Sequence, residues 1–483
     1  MTSYANAICS HPALLTDLYQ LTMAQGYWRQ GWADRRAVFH LFFRRAPFGG
    51  RFAVACGMEA VVEFLKRWRF TDEDLDFLAT LKASDGRALF CQEFLDYLAG
   101  LRFEGEVLAV EEGTLIFAHE PFLRVQAGLM VAQLLETPLL NLVGFATLVA
   151  TKAARVTLAA RPDPVIEFGL RRAQGFEAAL IAARATYIGG CVGTSNVLAG
   201  KLWNIPVRGT QAHSWILAFG DERRAFEAYA ESYPSSCVLL VDTFDTIQGV
   251  KHAIEVAQKL KEKGHRLLGI RLDSGDLVTL SQKVRQMLDE AGLNDVVILA
   301  SGDLDEYRIS RLKAAGAQIN AWGVGTRLTT AFDEPALSVV YKLAAIQDGN
   351  GAWHDRMKIS AETAKQTLPG ILRVRRYYAA GQSQMDVIYD ERDPQDLQLP
   401  AKRGKEFTFD EAVELLQPLW VGGEPVQEVR SLKEIREYVQ RQLGAFASEY
   451  LSLRRAKAFP VKMARGVAIR RRQLRYHHEE PSA

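Results

Sequence analysis

A histidine in a predicted strand-to-helix loop is well suited to acid, base or nucleophilic chemistry. The loop reads Gly209-Thr-Gln-Ala-His-Ser214; it follows the apolar run Trp203 to Val207 and precedes a helical pattern. In α/β folds such loops carry chemistry, because backbone N–H groups and side chains converge there on a rigid frame. A histidine placed there, such as His213, can act as an acid, a base or a nucleophile. It can equally cap or pack against the following helix, and the loop alone leaves both roles open.

A second reactive set stands in Arg271-Leu-Asp273-Ser-Gly-Asp276. On an extended strand Arg271 and Asp273 point to the same side. An arginine can hold a planar carboxylate through two hydrogen bonds. The carboxylates can bind ribose hydroxyls or Mg²⁺, or favour positive charge developing on a sugar carbon. An internal Arg–Asp ion pair would use the same residues, so the motif indicates either.

Two glycine-containing segments could bind phosphate. Ser301-Gly302-Asp303 and Gly323-Val-Gly325-Thr326 each place small residues where a predicted strand gives way to a helix. Backbone N–H groups and hydroxyls at such a point, aided by the helix dipole, suit an anion. Glycines also serve tight strand-to-helix turns, so the segments are compatible with both functions.

These residues follow a repeating pattern that begins at Val165. Short apolar runs end in Gly, Asp or Thr and are followed by helical segments, at 165–169, 187–191, 205–210, 237–243, 267–276, 296–303, 319–326 and, with a weaker pattern, 338–343. Strands that alternate with helices in this way predict parallel βα units. Seven or eight runs favour an irregular βα barrel over an open doubly wound sheet, and a barrel would bring all the loops to one rim.

The flanking regions lack this alternation. Residues 14–30 and 131–160 read as helices, although Pro138 and Gly144 can break the second, and residues 37–43 and 372–389 read as strands, antiparallel in the second range. The predicted organisation is an α+β domain over 1–160, the barrel over 161–345, and carboxyl-terminal strands and helices over 346–483. Residues 454–476 hold nine Lys or Arg and no acid, a pattern typical of a solvated helix face, with an anionic-surface patch as the alternative.

Composition limits the possible partners and compartment. The 483 residues include 59 Lys and Arg against 57 Asp and Glu, a balance that gives no drive toward nucleic acid or membrane. The five cysteines are scattered without a C-x-x-C pair, which argues against a disulfide framework or zinc cluster. We find no signal-peptide pattern and expect no bilayer-spanning run of about 18 apolar residues. A cytoplasmic protein is therefore expected.

Seven motifs, in order, resemble those of the nicotinate phosphoribosyltransferase family. They are LLTDLYQLTMAQGYW, EFGLRRAQG, GTSNVLAGKLWNIPVRGTQAHS, VDTFDT, GIRLDSGDL, INAWGVGT and KQTLPG. The resemblance runs from about residue 14 to at least 375, with a weaker similarity in FPVK at 459–462. It implies the type II phosphoribosyltransferase architecture, in which a smaller α+β domain precedes an irregular βα barrel, and a homodimer with shared active sites.

The resemblance also implies an activity. Such enzymes join nicotinate to phosphoribosyl pyrophosphate (PRPP), giving nicotinate mononucleotide and pyrophosphate for NAD biosynthesis. Mg²⁺ assists, and ATP is a co-substrate whose hydrolysis is coupled through a phosphohistidine. By the match, His213 would be the phosphorylated residue, and Tyr19 of the neighbouring subunit would stack on the pyridine ring opposite Phe168. The same match assigns the nicotinate carboxylate to Thr210 and Arg271, the pocket wall to Leu170, and the phosphoribosyl group to Arg171, Asp273, Gly302, Gly323, Gly325 and Thr326.

Three other functions remain in view. Nicotinamide-using relatives carry an acidic residue at the position of Ser195, and a carboxylate there would repel nicotinate, so serine favours the acid substrate. Quinolinate phosphoribosyltransferase shares the fold, but its basic pocket for two carboxylates is not evident. A catalytically idle sensor of PRPP or pyridine nucleotides would have no use for a phosphorylatable His213 beside Arg271 and Asp273.

Overall fold

The chain forms two compact units in a computed structural model that describes residues 10–360, 362, 366–393, 409–426 and 430–479. Unit 1 comprises Met1–Leu148, Ala336–Ser431 and Gln440–Ala483, and unit 2 comprises Val149–Pro335 and Leu432–Val439. The chain therefore enters unit 2 twice. The sequence predicted three domains that are consecutive in the chain. The two units are defined by contacts between residues and so do not test those boundaries, which stay a prediction.

The helices and strands of the described residues are as follows. The α-helices, α1 to α17, are Leu18–Arg29, Met58–Arg67, Asp72–Thr80, Gln92–Ala99, Leu129–Leu134, Glu136–Ala160, Phe176–Ile188, Val197–Trp203, His213–Phe219, Glu222–Ser232, Thr246–Glu262, Leu277–Glu290, Glu306–Ala314, Thr326–Thr329, Leu432–Gly444, Ser448–Leu451 and Arg465–Glu479. The strands, β1 to β19, are Arg36–Phe43, Ala53–Val54, Glu106–Val110, Leu115–Ile116, Leu123–Gly128, Val165–Glu167, Gly193–Thr194, Val238–Leu240, Gly269–Leu272, Val297–Ala300, Ala321–Val324, Val339–Gln347, Trp353–Asp355, Leu372–Ala379, Gln382–Asp390, Glu411–Glu414, Leu416–Val421, Glu424–Pro425 and Val461–Met463.

Unit 2 is built on a six-stranded parallel sheet with the order β7-β6-β11-β10-β9-β8. Adjacent strands of this sheet are consecutive in the chain, with one exception: β11, the last of them in sequence, pairs with β6, the first. Val207 extends the sheet through a parallel bridge to Thr194 of β7. Within the described residues, Val207 and β8 are the two edges of this sheet, and no pairing joins them. The α/β class with a parallel core is thus confirmed, while closure into a barrel stays a prediction.

The core of unit 2 explains why its strands read as apolar runs. Leu239, Ile270 and Ile298, on β8, β9 and β10, are fully buried in one cluster with Val250 of α11 and Val284 of α12. Strands of a parallel sheet covered by helices must be apolar on both faces. The helical segments predicted after the runs at 237–243, 267–276 and 296–303 are present, as α11, α12 and α13.

Three of the eight predicted runs need correction. The run at 187–191 is wrong: helix α7 extends to Ile188, and the strand is Gly193–Thr194. A Cβ at Gly189 would lie 2.4 Å from the Ala150 carbonyl oxygen, so this glycine serves close packing of two helices. In 205–210 only a single bridge forms, at Val207. The run at 338–343 is a strand, but it pairs antiparallel with β1 in unit 1.

Unit 1 contains a seven-stranded sheet of order β13-β12-β1-β5-β3-β17-β18 and a four-stranded sheet of order β16-β14-β15-β19. All of β1 except its first residue is buried, which confirms the strand predicted at 37–43 with two apolar faces. Strands β14 and β15 form the antiparallel pair predicted at 372–389. Arg376 and Asp386, both fully buried, form an ion pair between these two strands.

The helix predicted at 131–160 is divided, but not at either expected residue. α5 ends at Leu134 and α6 begins at Glu136. Pro138 lies in the first turn of α6, where a missing N–H costs no helical hydrogen bond, and Gly144 lies within the helix. The stretch Leu129–Ala160 is long and apolar enough to cross a membrane by length and composition, contrary to our expectation, but 72% of its most apolar window is buried in the protein. Burial of that kind is typical of a core helix.

The basic segment near the carboxyl terminus is not simply a solvated helix face. On α17, Nη2 of Arg470 lies 3.3 Å from Asp390 Oδ2, and Arg471 donates a hydrogen bond of 2.9 Å to Gln366. Arg472 and Arg475 are exposed. The helix therefore has one solvated side and one side that contacts the rest of unit 1.

Candidate active site

Arg271, near the carboxyl end of β9, is the centre of a hydrogen-bonded cluster in unit 2. Its guanidinium donates to Asp273 Oδ1 at 2.6 Å, Ser301 Oγ at 2.7 Å and Thr210 Oγ1 at 3.0 Å. The predicted alignment of Arg271 and Asp273 is confirmed, and the internal ion pair that was its alternative is present too. Because Ser301 follows β10 and Thr210 follows the isolated bridge at Val207, the cluster links three loops of unit 2.

Asp273 is held as a carboxylate. Burial alone would raise the pKa of Asp273, but the hydrogen bond from Ser301 and the positive charge of Arg271, with a smaller effect of His213, lower it below its usual range. The Ser301 hydroxyl donates to the same Oδ1 that contacts Arg271. Asp273 therefore keeps its negative charge at neutral pH.

Asp242 is a residue to which sequence reasoning assigned no function. It follows β8, and its Oδ2 accepts hydrogen bonds of 2.8 Å from both the Asp273 N–H and the Ser274 hydroxyl. Its Oδ1 is buried and has no hydrogen-bond partner among the described residues. The Asp242-Thr243 pair in the motif VDTFDT was the available signal. An unpaired buried carboxylate oxygen is costly, so it is a candidate for contact with a ligand.

His213 is the first residue of α9, so it lies where the predicted loop meets the helix, and the segment before the loop forms only the bridge at Val207. Its Nδ1 lies 3.1 Å from Thr243 Oγ1. The residue before the helix is Ala212, and no side chain caps the helix, so the capping interpretation is wrong. Because Nδ1 contacts Thr243, Nε2 is the ring nitrogen for which no hydrogen-bond partner is described.

The predicted glycines allow close approach of neighbouring strand ends. A Cβ at Gly323 would lie 2.5 Å from a ring carbon of Phe168, and one at Gly302 would lie 2.1 Å from the Asp273 carbonyl oxygen. Gly302 also has φ +89°, which favours glycine. The Phe168 ring that Gly323 accommodates has its centroid 5.6 Å from the Arg271 guanidinium. These contacts account for the glycines structurally and leave phosphate binding a prediction.

Glu167 is a second residue that sequence reasoning missed. This buried carboxylate accepts hydrogen bonds from the hydroxyls of Thr194, at 2.6 Å, and Thr329, at 2.8 Å, and from the Gly169 N–H. Its partners lie on β7, on α14 and just after β6 itself. Since Phe168 stands between Glu167 and Gly169, the network fixes the backbone on both sides of that ring. Glu167 begins the motif EFGLRRAQG, but the network was not foreseen because Thr194 and Thr329 are 27 and 162 residues away.

The remaining predicted residues make no described hydrogen bond with this cluster. Leu170 and Arg171 belong to a short 3-10 helix, half-buried and exposed respectively. Gly325 and Thr326 begin the four-residue helix α14. Tyr19 lies on α1 in unit 1 with 49% of its surface exposed; burial of the remainder and the charge of Glu136 raise its pKa. The roles predicted for these residues stay predictions.

The described residues contain no cluster of three or more His, Cys, Asp or Glu able to hold a metal ion. A site that binds a divalent cation tightly through protein ligands alone is thus not evident in this part of the chain. A cation held mainly by a phosphorylated substrate requires fewer protein ligands.

Family models match almost the whole chain. Residues 14–144 match the amino-terminal domain of nicotinate phosphoribosyltransferase, residues 164–366 match the nicotinate phosphoribosyltransferase family, and residues 373–468 match its carboxyl-terminal domain. The second match contains the Arg271 cluster and His213.

Individual proteins agree with these matches. The chain is 44% identical to a nicotinate phosphoribosyltransferase of Bacillus subtilis over 94% of this chain and 93% of that protein. It is 43% identical to one of Mycobacterium tuberculosis over 91% of this chain and 89% of that protein. The crystal structure of human nicotinic acid phosphoribosyltransferase superposes with a TM-score of 0.79 at 34% identity, covering 95% of this chain and 99% of the human one. The chain therefore belongs to the nicotinate phosphoribosyltransferase family of enzymes.

Proposed function

We propose that this enzyme is an ATP-coupled nicotinate phosphoribosyltransferase of NAD salvage. The reaction is nicotinate + PRPP + ATP + H₂O giving nicotinate mononucleotide + pyrophosphate + ADP + phosphate. The observation that carries the proposal is the cluster in which Arg271 contacts Thr210 while Asp273 stays ionised beside it. The cluster offers donors for an aromatic carboxylate and, next to them, a negative charge for a sugar cation.

Nicotinate recognition would fall to Arg271, Thr210 and Phe168. Arg271 has a planar fork that can hold a carboxylate through two hydrogen bonds, and the Thr210 hydroxyl is already its neighbour. The Phe168 ring lies on the same side of the site, 5.6 Å from that guanidinium. A pyridine ring whose carboxylate engages Arg271 would find Phe168 as one stacking face, with Tyr19 of a second subunit as the other.

The transfer itself requires positioning and charge more than covalent help. The nitrogen lone pair of nicotinate forms a bond to the anomeric carbon while that carbon loses its bond to pyrophosphate, which leaves with the bonding electrons. Positive charge builds on the ribose in the transition state. An ionised Asp273 stabilises that charge, and because Ser301 and Arg271 already fix its position, it needs little reorganisation as the reaction proceeds.

The residues present fit Mg²⁺ as an assisting ion. Asp242 has a buried carboxylate oxygen without a partner among the described residues, and Asp273 is a second ionised carboxylate nearby. Asp242 and Asp273 would hold the ion, directly or through water, together with the phosphates of PRPP. When bound, Mg²⁺ neutralises charge on the pyrophosphate leaving group. The loops at Gly302 and at Gly323 to Thr326, with Arg171, would face the phosphoribosyl group.

His213 would couple ATP to the reaction. Its Nε2 attacks the γ-phosphorus of ATP, the bond from that phosphorus to the bridging oxygen breaks, and ADP leaves. Water later attacks the phosphorus, the Nε2–P bond breaks, and phosphate leaves. A neutral imidazole nitrogen accepts a phosphoryl group without prior deprotonation by a base. The hydrogen-bonding contact of Nδ1 with Thr243 would orient the ring so that Nε2 is presented.

A homodimer with shared sites, in the cytoplasm, is the assembly that suits the proposal. Unit 2 leaves large apolar side chains exposed on α7, α8 and α9, the most exposed at 88%: Phe176, Val197, Leu198, Leu202 and Leu217. Helices α7 and α8 contact each other, and exposed apolar side chains on adjacent helices favour a protein interface.

One assay tests the proposal against two of the alternatives, a nicotinamide-using enzyme and a sensor. The full chain is incubated with PRPP, Mg²⁺ and either nicotinate or nicotinamide, with and without ATP, and the mononucleotide is identified. Nicotinate mononucleotide, increased by ATP, is the expected product. Preferential use of nicotinamide would contradict the substrate assignment, for which Ser195 is the supporting residue. Binding of PRPP without any product would identify a sensor.

A further inference from the structure

Unit 1 contains a cavity that the proposed reaction does not use. It has a volume of about 300 Å³, at the lower end of the range for small-molecule sites. Its walls come from the two sheets of unit 1, from the segment 366–368 and from helix α17. All of its lining residues belong to unit 1.

The charges around this cavity are one-sided. Lys342 and Arg471 line it, together with His40 and His119, and none of the described lining residues is acidic. Lys342 has an acidic partner, Glu136, at 3.1 Å. Arg471 has none among the described residues: its guanidinium contacts the Gln366 amide oxygen, at 2.9 Å, and the Met463 sulfur, at 3.8 Å. A half-buried guanidinium with only neutral partners is a site for an anion.

The two histidines add neutral donors. Burial lowers the pKa of His40 to about 3, and its Nε2 accepts the Leu372 N–H at 3.2 Å, so its Nδ1 carries the proton. Burial, followed by the charges of Arg44 and Arg471, lowers the pKa of His119 as well. No hydrogen bond to a ring nitrogen of His119 is described. An anion beside Arg471 would therefore meet further N–H groups, while the nearby carboxylates, Asp390 close to His40 and Glu136 paired with Lys342, are not among the lining residues.

The rest of the lining is apolar, which defines the ligand. Phe42, Leu368, Leu372, Ile388 and Val461 are among the residues that contribute it. A fully hydrated inorganic ion would leave these walls without contacts, whereas an apolar body would lose water against them. From these observations we propose that the cavity binds a small organic carboxylate with an apolar body, whose carboxylate pairs with Arg471.

The inference gives the basic end of the chain a specific function. α17 delivers Arg471 into the cavity, while its neighbour Arg472 is exposed and contacts Tyr476 of the same helix. A bound carboxylate would connect α17 to the sheets of unit 1. None of the residues to which the proposed reaction assigns a role lines this cavity.

The test measures binding of benzoate to the full chain by calorimetry. Arg271→Gln is used as the background, so that any carboxylate site at the Arg271 cluster is lost. We expect one saturable benzoate site per chain, weakened about 10-fold or more by Arg471→Gln, the loss that corresponds to one charge-assisted hydrogen bond. Arg472→Gln, the matched control, should leave the affinity unchanged. Benzyl alcohol and inorganic phosphate, which lack the charge and the apolar body respectively, should bind at least tenfold more weakly.

Ala118→Leu is a second test that does not rely on the arginine variant folding correctly. It keeps every charge but fills part of the cavity, so it should also abolish binding. Benzoate should raise the pKa of His119, followed by NMR. Absence of saturable binding, or binding that is insensitive to Arg471→Gln and Ala118→Leu, would overturn the proposal. Tight binding of phosphate would overturn the assignment of an apolar body. If wild type and Arg271→Gln bind the same number of benzoate molecules, the failure concerns the Arg271 site, not this cavity.

Discussion

The Arg271 cluster and the His213 loop lie on the same unit but are held in different ways. Arg271 makes three side-chain hydrogen bonds, and Asp273 accepts two of the cluster's bonds on one oxygen. The His213 ring has a single described hydrogen-bond partner, Thr243. A group that stabilises charge is most effective when its neighbours already fix its position. A group that accepts and releases a phosphoryl group needs one ring nitrogen free, and this difference supports the separate roles proposed for the two residues.

Replacement of His213 by Asn should separate the two regions most clearly. Asparagine cannot form a phosphoramidate, so ATPase activity and stimulation by ATP should both be lost, while slow ATP-independent transfer at the Arg271 cluster survives. With γ-labelled ATP, wild type should carry acid-labile, base-stable label and His213→Asn none. His252→Asn is the matched control, since His252 contacts Glu222 on a neighbouring helix, and it should keep the label. Uptake of label by His213→Asn would show that His213 is not the acceptor.

Arg271→Lys should damage the cluster rather than the coupling. A lysine cannot reproduce the fork that reaches Thr210, Ser301 and Asp273. Loss of a charge-assisted contact costs about 1.5 to 3 kcal/mol, which is about 10- to 150-fold. We expect a rise of that size in the KM for nicotinate and a smaller rise for PRPP, from steady-state kinetics. Arg266→Lys, at an exposed ion pair with Asp295, should change neither. Equal losses for both substrates would place Arg271 outside nicotinate recognition.

The Glu167 network should prove to be a support for the cluster. Thr194→Val or Thr329→Val leaves a buried carboxylate oxygen short of a donor, at a cost of about 1 to 3 kcal/mol in the free energy of unfolding. Urea denaturation measures this cost. Because Phe168 adjoins the network, the KM for nicotinate should rise more than kcat falls. Thr194→Ser keeps the hydroxyl and should restore both quantities, and a failure of Thr194→Ser to do so would indicate that the methyl group is what matters.

Ser301→Ala should produce the smallest effect, and one specific to pH. The Ser301 hydrogen bond lowers the pKa of Asp273, so its loss should raise that pKa. Asp273 is then protonated at higher pH, and the acid limb of the kcat/KM profile moves up. The stability that this carboxylate contributes is present above its unfolded pKa and lost as pH falls through the lower folded pKa, so the variant should lose stability at a higher pH. Ser301→Thr keeps a hydroxyl and should not shift the limb; an unmoved limb in Ser301→Ala would contradict Asp273 as the group titrated.

Much of the site follows from local sequence alone. The side chains of Arg271 and Asp273 point the same way because side chains alternate between the two faces of a strand with a period of two residues. His213 lies where a loop meets a helix because the loop follows an apolar run and a helical pattern follows the loop. The alternation of apolar runs and helical segments similarly predicts a parallel α/β core. These inferences hold because each depends only on residues close together in the chain.

Only the tertiary structure decided which distant residues meet. Ser301 and Thr210 join Arg271 from 30 and 61 residues away, and Glu167 meets Thr329 across 162, because strand order sets these distances. The run at 187–191 ends a helix, because an apolar run fits either a helix or a strand until its neighbours are known. Arg471 and Arg472 are identical in type and adjacent in sequence, yet one lines a cavity and the other is exposed. Which face of a helix contacts the protein depends on the surface it packs against.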